Sequence, residues 1–163
     1  MSITIRNYTN EDKLSILGMF DDFQDYLISI DPLNRMRRMP GYAEVTLRQT
    51  LEEVTTNRGT FFVAVDVDNK VVGFVVAITF EPSQDALLSN VPSLRGRITE
   101  LYVDPSRRGQ GIGTLLVHAA EQYLQKLGCD VIRLEVFAPN ENAYRLYRRL
   151  GYRDYDIDMI KKI

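Results

Sequence analysis

Hydrophobic and polar positions change their period several times along the 163-residue chain, and each change marks an element. Ser2 to Tyr8 alternates through Ile3 and Ile5 and predicts an opening strand. Thr9, ahead of Asn-Glu-Asp, is an N-cap with acids in the first turn, and Leu14, Leu17, Phe20, Leu27 and Ile28 form a helical stripe that Asp31-Pro32 ends. Gly18 inside that stripe weakens it. The stretch Leu33 to Gly41 is basic, contains Met36 and Met39, and reads as a surface loop closed by Pro40-Gly41. Val45, Leu47, Leu51 and Val54 then predict a second helix, Ala43 to Thr56, stopped by Asn57-Arg58-Gly59.

Strands are expected over Thr60–Val67 and Lys70–Phe80, joined by a two-residue Asp68-Asn69 hairpin loop. The second, KVVGFVVAITF, is nearly continuous in apolar residues, as a central strand covered on both faces would be, and Gly73 is placed to mark a bulge. Glu81 to Arg95 is the longest irregular connection, with a short helical turn at Ala86-Leu87-Leu88, and its length suits a pocket rim. A strand Ile98–Val103, a helix Ile112–Leu127, a strand Val131–Phe137 and a helix starting near Glu141 follow. Asp154 to Ile163 alternates weakly through Ile157, Met159 and Lys161, predicting a last antiparallel strand. The order β-α-α-β-β-β-α-β-α-β, without repeat or linker, describes one α/β domain over residues 1–163 around a mixed sheet.

The turn between the strand at Ile98 and the helix at Ile112 carries the first chemistry. In Arg107-Arg108-Gly109-Gln110-Gly111-Ile112-Gly113, three glycines let the backbone bend and come close to a ligand, and the helix that follows opens with unpaired amide donors. Those donors, the positive end of the helix dipole and two arginines suit a pyrophosphate. Neither common phosphate fingerprint fits: there is no GxxxxGK[ST], and RGQGIG is not GxGxxG followed by a ribose-binding acid.

The turn does fit Arg/Gln-x-x-Gly-x-Gly/Ala, with Arg108, Gly111 and Gly113 at the defining positions after the strand ELYVDP, and so resembles the acetyl-CoA motif of the GNAT superfamily of N-acetyltransferases. A second stretch, Asn140 to Tyr152, matches that superfamily's Asn-x-x-Ala-x-x-Leu/Phe-Tyr-x-x-x-Gly-Phe/Tyr at Asn140, Ala143, Leu146, Tyr147, Gly151 and Tyr152. The two motifs cover the C-terminal third; the remainder agrees in its order of elements.

The resemblance implies a mostly antiparallel mixed sheet whose central strands splay, with the pantetheine arm of acetyl-CoA pairing to backbone of Leu101, Tyr102 and Val103. It implies that Arg108, Gly109, Gln110, Gly111, Ile112, Gly113 and Thr114 hold the pyrophosphate, and that Asn140 touches the pantetheine; Asn140 also reads as an ordinary helix N-cap. Tyr147 matches the motif tyrosine and is expected to protonate the CoA sulfur, although its face, shared with Ala143 and Leu150, equally suits a core tyrosine. Similar polyamine-acetylating enzymes carry acids at or beside Glu100, which alternation puts beside Tyr102 and opposite Leu101 and Val103; an ordinary solvated carboxylate is the alternative. Other members place the base near what is Arg97 here, which cannot serve. By the same resemblance, the Leu33–Gly41 loop becomes a candidate lid over the acceptor.

Composition narrows this further. Net charge is −2, but residues 1–103 hold 14 acids and 10 bases whereas residues 104–163 hold 8 acids and 10 bases, so the half proposed to meet polyanionic CoA is the positive one. Nucleic-acid binding gains nothing from a pI near 5.5. A single cysteine, Cys129, and a single histidine, His118, argue against a disulfide and a metal cluster; Cys129 reads as a small buried hydrophobe and His118 as a surface residue. No apolar run reaches the roughly 18 residues of a membrane span, and MSITIRNYTNEDK lacks a signal-peptide profile, so the expectation is a cytoplasmic enzyme. The expected reaction is acetyl transfer from acetyl-CoA to a small primary amine by direct attack, without metal. The alternatives are a peptide or protein amine as acceptor, a non-catalytic acyl-CoA-binding module, or a generic nucleotide-binding domain. A terminal strand would also offer an edge for a homodimer.

Overall fold

The computed structural model describes residues 2–163. Five strands form one sheet in chain order: β1 (Thr4–Asn7), β2 (Thr60–Val65), β3 (Val71–Phe80), β4 (Arg95–Val103) and β5 (Val131–Leu134). The pairs β1–β2, β2–β3 and β3–β4 are antiparallel, and β4–β5 is parallel. Four α-helices flank it: α1 (Lys13–Ile30), α2 (Tyr42–Thr56), α3 (Ile112–Lys126) and α4 (Glu141–Arg149). The mixed, mostly antiparallel α/β architecture expected from the sequence is the one observed.

The core has two layers because β3 is buried on both faces. Phe74 and Val76 point to a cluster with Ile16 and Phe20 of α1 and Leu47 of α2. Val72, Val75 and Ala77 point to a second, with Leu116, Val117, Ala120 and Leu124 of α3 and Tyr147 of α4. Truncating Phe74, fully buried between rings of Phe20, Phe61 and Tyr102, would cost about 3–5 kcal/mol. Gly73 lets β3 and β4 approach: a Cβ there would lie 2.7 Å from the Tyr102 carbonyl oxygen. The bulge falls one residue earlier, at Val72, since Gly73 pairs with Ala64 and Val71 with Val65.

Local chemistry sets the element ends. Thr9 and Asp12 form the expected cap, and Arg6 grips Asp12 through two 2.7 Å hydrogen bonds, holding that buried carboxyl below its usual range. The β2–β3 connection is longer than the expected two residues. Asp66 accepts from the amides of Asp68 and Lys70, and Asn69 adopts the left-handed conformation at φ 59°, so Val67, Asp68 and Asn69 form a three-residue loop. The Ala86–Leu88 turn forms as a short 3-10 helix.

The last expected strand does not form. Residues 153–163 make no ladder and expose Tyr155, Ile157, Met159, Ile160 and Ile163. Tyr144 and Arg148 of α4 hold Asp154, which draws the segment onto the helix rather than into the sheet. β5 is also shorter than expected, ending at Leu134 instead of Phe137. Among the described residues, no helix is long and apolar enough to cross a membrane.

Candidate active site

A wedge opens in the sheet where β4 and β5 part. β5 pairs with β4 only from Arg95↔Val131 to Ile98↔Leu134, while β4 continues to Val103 against β3. From Thr99 onward, one edge of β4 has no strand beside it among the described residues, so its backbone donors and acceptors have no strand partner there. Thr99 is an extra residue in β4, because Val76 faces Glu100 and Ala77 faces Ile98; this bulge bends β4 where β5 leaves it. Leu101 and Val103 pack toward α3, and Tyr102 is buried toward α1 and α2.

The glycine turn closes one end of the wedge. Asp104 accepts from the Ser106 amide (2.8 Å) and hydroxyl (2.7 Å), Arg107 reaches Asp66 in the β2–β3 loop (2.8 Å), and Arg108 donates from Nε to the Val103 carbonyl (3.0 Å). Gly111 is the N-cap of α3 at φ 81°, a conformation that disfavours any side chain. Leu115 is the first residue of α3 whose amide reaches back to Gly111, at 3.1 Å, so the first turn leaves the amides of Ile112, Gly113 and Thr114 for an outside acceptor. Gly113 also lets α3 meet α4, since a Cβ there would lie 3.2 Å from Leu146.

The opposite wall is the start of α4. Asn140 caps it, its Oδ1 accepting from the Ala143 amide (3.3 Å) and also from the Tyr26 hydroxyl of α1 (3.2 Å). Tyr147 is buried about two turns on, edge-to-face with Tyr152 at 5.8 Å. Burial, reinforced by the Glu100 carboxylate, holds the Tyr147 hydroxyl well above its ordinary pKa. Glu100 itself is pushed up to about 7, chiefly by burial and then by the like charge of Glu53 on α2. Of the two groups singled out as acid and base, Glu100 thus acts on the Tyr147 hydroxyl.

Beside them a pocket of about 230 Å³ is lined by Glu53, Arg97, Ile98, Thr99 and Glu135. Arg97 is paired with Glu135, so its charge is spent within the pocket wall. A larger groove of about 690 Å³, between Tyr8, Lys13, Leu47, Arg48 and Leu51, contains none of these residues. His118 is exposed, and burial raises the Cys129 thiol. Tyr144 and Tyr152 are tied to Asp154 and Glu121. The Leu33–Gly41 loop is strapped to α1: Asp31 accepts from Leu33, Arg35 and Met36, and Arg38 grips Asp25 through two 2.8 Å bonds. Reading by motif missed Tyr26 and Glu53, which reach the wedge from helices with no motif of their own.

The profile of the acetyltransferase (GNAT) family matches residues 19–152. The chain belongs to this family. An uncharacterized N-acetyltransferase of Methanocaldococcus jannaschii is 35% identical over 109 residues, covering 63% of this chain and 45% of the relative. A mycothiol acetyltransferase of Pseudarthrobacter chlorophenolicus is 32% identical over 114 residues, covering 70% and 33%. The chain therefore spans only a third to about half the length of these curated relatives. Among solved structures, the tetramutant of a Bacillus halodurans protein superposes with a TM-score of 0.85 at 26% identity, covering 98% of this chain and 99% of the other. The GNAT family transfers acetyl groups from acetyl-CoA, and the wedge suits that donor on its own terms: unpaired strand backbone for an amide-bearing arm, and unpaired helix amides beside Arg108 for phosphates.

Proposed function

We propose that this GNAT protein transfers an acetyl group from acetyl-CoA to a primary amine of a small molecule, by direct attack within a ternary complex. The observation that carries the reading is the pair Glu100 and Tyr147, a carboxyl raised to about 7 and a hydroxyl held protonated, set across the wedge between β4 and β5. Acetyl-CoA supplies the thioester carbonyl. Gly109 to Thr114 present backbone amides to its pyrophosphate with Arg108 adding charge, and β4 backbone at Leu101, Tyr102 and Val103 aligns the arm. Asn140 contacts the same arm.

The Glu100 carboxylate takes a proton from the incoming ammonium, directly or through water, leaving a neutral amine. That amine forms the N–C bond to the carbonyl carbon as the C–S bond breaks. Tyr147 gives its proton to the departing sulfur and regains one from the nitrogen by way of solvent, and Glu100 releases its own to water. Burial serves Tyr147 well in this role, because it keeps the hydroxyl a proton donor throughout the accessible pH range.

The acceptor is a cationic amine on this reading. Glu53 and Glu100 repel one another beside the wedge, and an ammonium between them relieves that repulsion. The relative named for mycothiol fits a small acceptor. The test is thiol release from acetyl-CoA by the purified chain against polyamines, amino sugars, amino acids and short peptides. Turnover with small amines is expected; turnover with peptides alone would move the acceptor to a protein, and CoA binding without turnover on any acceptor would leave a non-catalytic module.

A further inference from the structure

Tyr26 lies on α1, outside both motifs, yet it touches a residue of each. Its hydroxyl donates to Asn140 Oδ1 at 3.2 Å, 114 residues away, and its ring lies 5.3 Å beneath the Arg108 guanidinium. We propose that Tyr26 is the positioning residue that aims both cofactor contacts, Asn140 and Arg108, into the wedge; this rests on the acetyl-CoA reading above.

The orientation of Asn140 follows from its two hydrogen bonds. The Ala143 amide is a donor, so only the carbonyl oxygen of the Asn140 side chain can cap the helix. That oxygen has two lone pairs, and Tyr26 takes the second. With its acceptor saturated, the carboxamide has only its NH2 group to offer. Asn140 is thereby a donor toward the wedge, matched to an amide carbonyl of the pantetheine arm and mismatched to an amide N–H. Without the Tyr26 hydroxyl, one lone pair is free to draw water or an N–H donor, and that selectivity weakens.

Arg108 is fixed in a comparable way. Its Nε is committed to the Val103 carbonyl, and its guanidinium carbon lies over the rings of Tyr26 at 5.3 Å and Tyr102 at 5.9 Å from their centres. The two terminal nitrogens remain for an anion, held in a plane rather than sweeping the surface as an exposed arginine otherwise would. One α1 side chain therefore couples the wall built from the glycine turn to the wall built from α4.

The experiment is calorimetric titration of CoA into the full chain, Tyr26→Phe, Asn140→Ala and the double variant, with melting temperatures measured alongside. Tyr26→Phe keeps the ring and removes only the hydroxyl; its CoA affinity is expected to fall roughly threefold to tenfold, with KM for acetyl-CoA rising and kcat unchanged. In the Asn140→Ala background the same substitution is expected to cost nothing, because the hydroxyl acts through Asn140. Tyr26→Leu, which also removes the ring from beneath Arg108, is expected to lose a further roughly threefold. Unchanged CoA affinity in Tyr26→Phe, or an equal loss in both backgrounds, would overturn the inference while leaving the function standing. A wild-type chain that fails to bind CoA overturns the proposed function and this inference with it.

Discussion

On the proposed function, the cofactor end of the wedge presents mostly backbone, and the acceptor end mostly ionisable side chains. At the first, the proposed function assigns the holding to the unpaired amides of Ile112, Gly113 and Thr114 and to the free edge of β4, so on that reading shape and glycine content matter more than side-chain identity. At the second, Glu100 and Tyr147 hold altered protonation equilibria, with the Glu53 charge acting on Glu100, so a single carboxylate-to-amide change is expected to rewrite the chemistry without moving the chain. Substitutions at the first end should therefore change affinity for CoA, and substitutions at the second should change rate and its pH dependence.

The sharpest way to break that division is Tyr147→Phe, which leaves the ring packed against Tyr152 and removes only the hydroxyl. We expect kcat to fall by roughly 10³, within the range for loss of a general acid, with CoA affinity unchanged. A fall in CoA affinity of similar size would place Tyr147 among the holding groups instead. Glu100→Gln comes next, with an expected loss of about 10² in kcat/KM for the acceptor near neutral pH. The loss is smaller because a fraction of the amine arrives already deprotonated and water can accept the proton. In the wild-type chain the rate should climb as pH rises through about 7, where the Glu100 carboxyl loses its proton. Glu100→Gln should erase that limb; a limb that persists would assign the titration elsewhere.

Gly111→Val tests the backbone end. A β-branched residue at φ 81° strains the cap of α3 by roughly 1–2 kcal/mol, and relief of that strain turns the first amides away from their common focus. CoA affinity should fall about tenfold while kcat at saturating acetyl-CoA stays within a factor of two or so. Calorimetry and a saturation curve read the two quantities separately. A loss confined to kcat would contradict the assignment of this turn to holding.

The same contrast explains what the sequence disclosed. Backbone recognition leaves a local record, because the glycines and the cap must be consecutive; spacing marked the turn from Arg108 to Thr114 as one that suits an anion, and only the family resemblance tied it to acetyl-CoA, whereas the Asn140 cap and the doubly buried β3 could be read from the residues themselves. Side-chain constellations leave none. Glu53 meets Glu100 only after α2 folds over β4, and Tyr26 meets Asn140 only after α1 crosses the wedge. Alternation at Ile157 and Met159 misled for a related reason: a strand pattern states which faces differ, but a strand needs a partner, and here Asp154 lies against α4 and the segment after it has no strand beside it. The parting of β4 from β5 was implied by family resemblance, and the Thr99 bulge that accompanies it was legible nowhere in the residues.

The smallest effect separates burial from charge as the cause of the raised Glu100 pKa. Burial is the larger contribution and the Glu53 carboxylate the lesser one. Glu53→Gln removes the like charge and leaves the burial, so Glu100 should give up its proton more readily and the ascending limb of the pH–rate profile should move to lower pH, by less than about one unit. Below pH 7 the variant should be slightly faster per bound acceptor than the wild-type chain, and well above it the two should converge, since Glu100 is then ionised in both. KM for a cationic acceptor should rise at every pH, because Glu53 no longer attracts it. A limb displaced to higher pH would have the wrong sign for lost repulsion; it would mean that Glu53 stabilises the Glu100 carboxylate, for instance by organising water around it, and the acceptor end would then be held by hydration rather than by opposed charge.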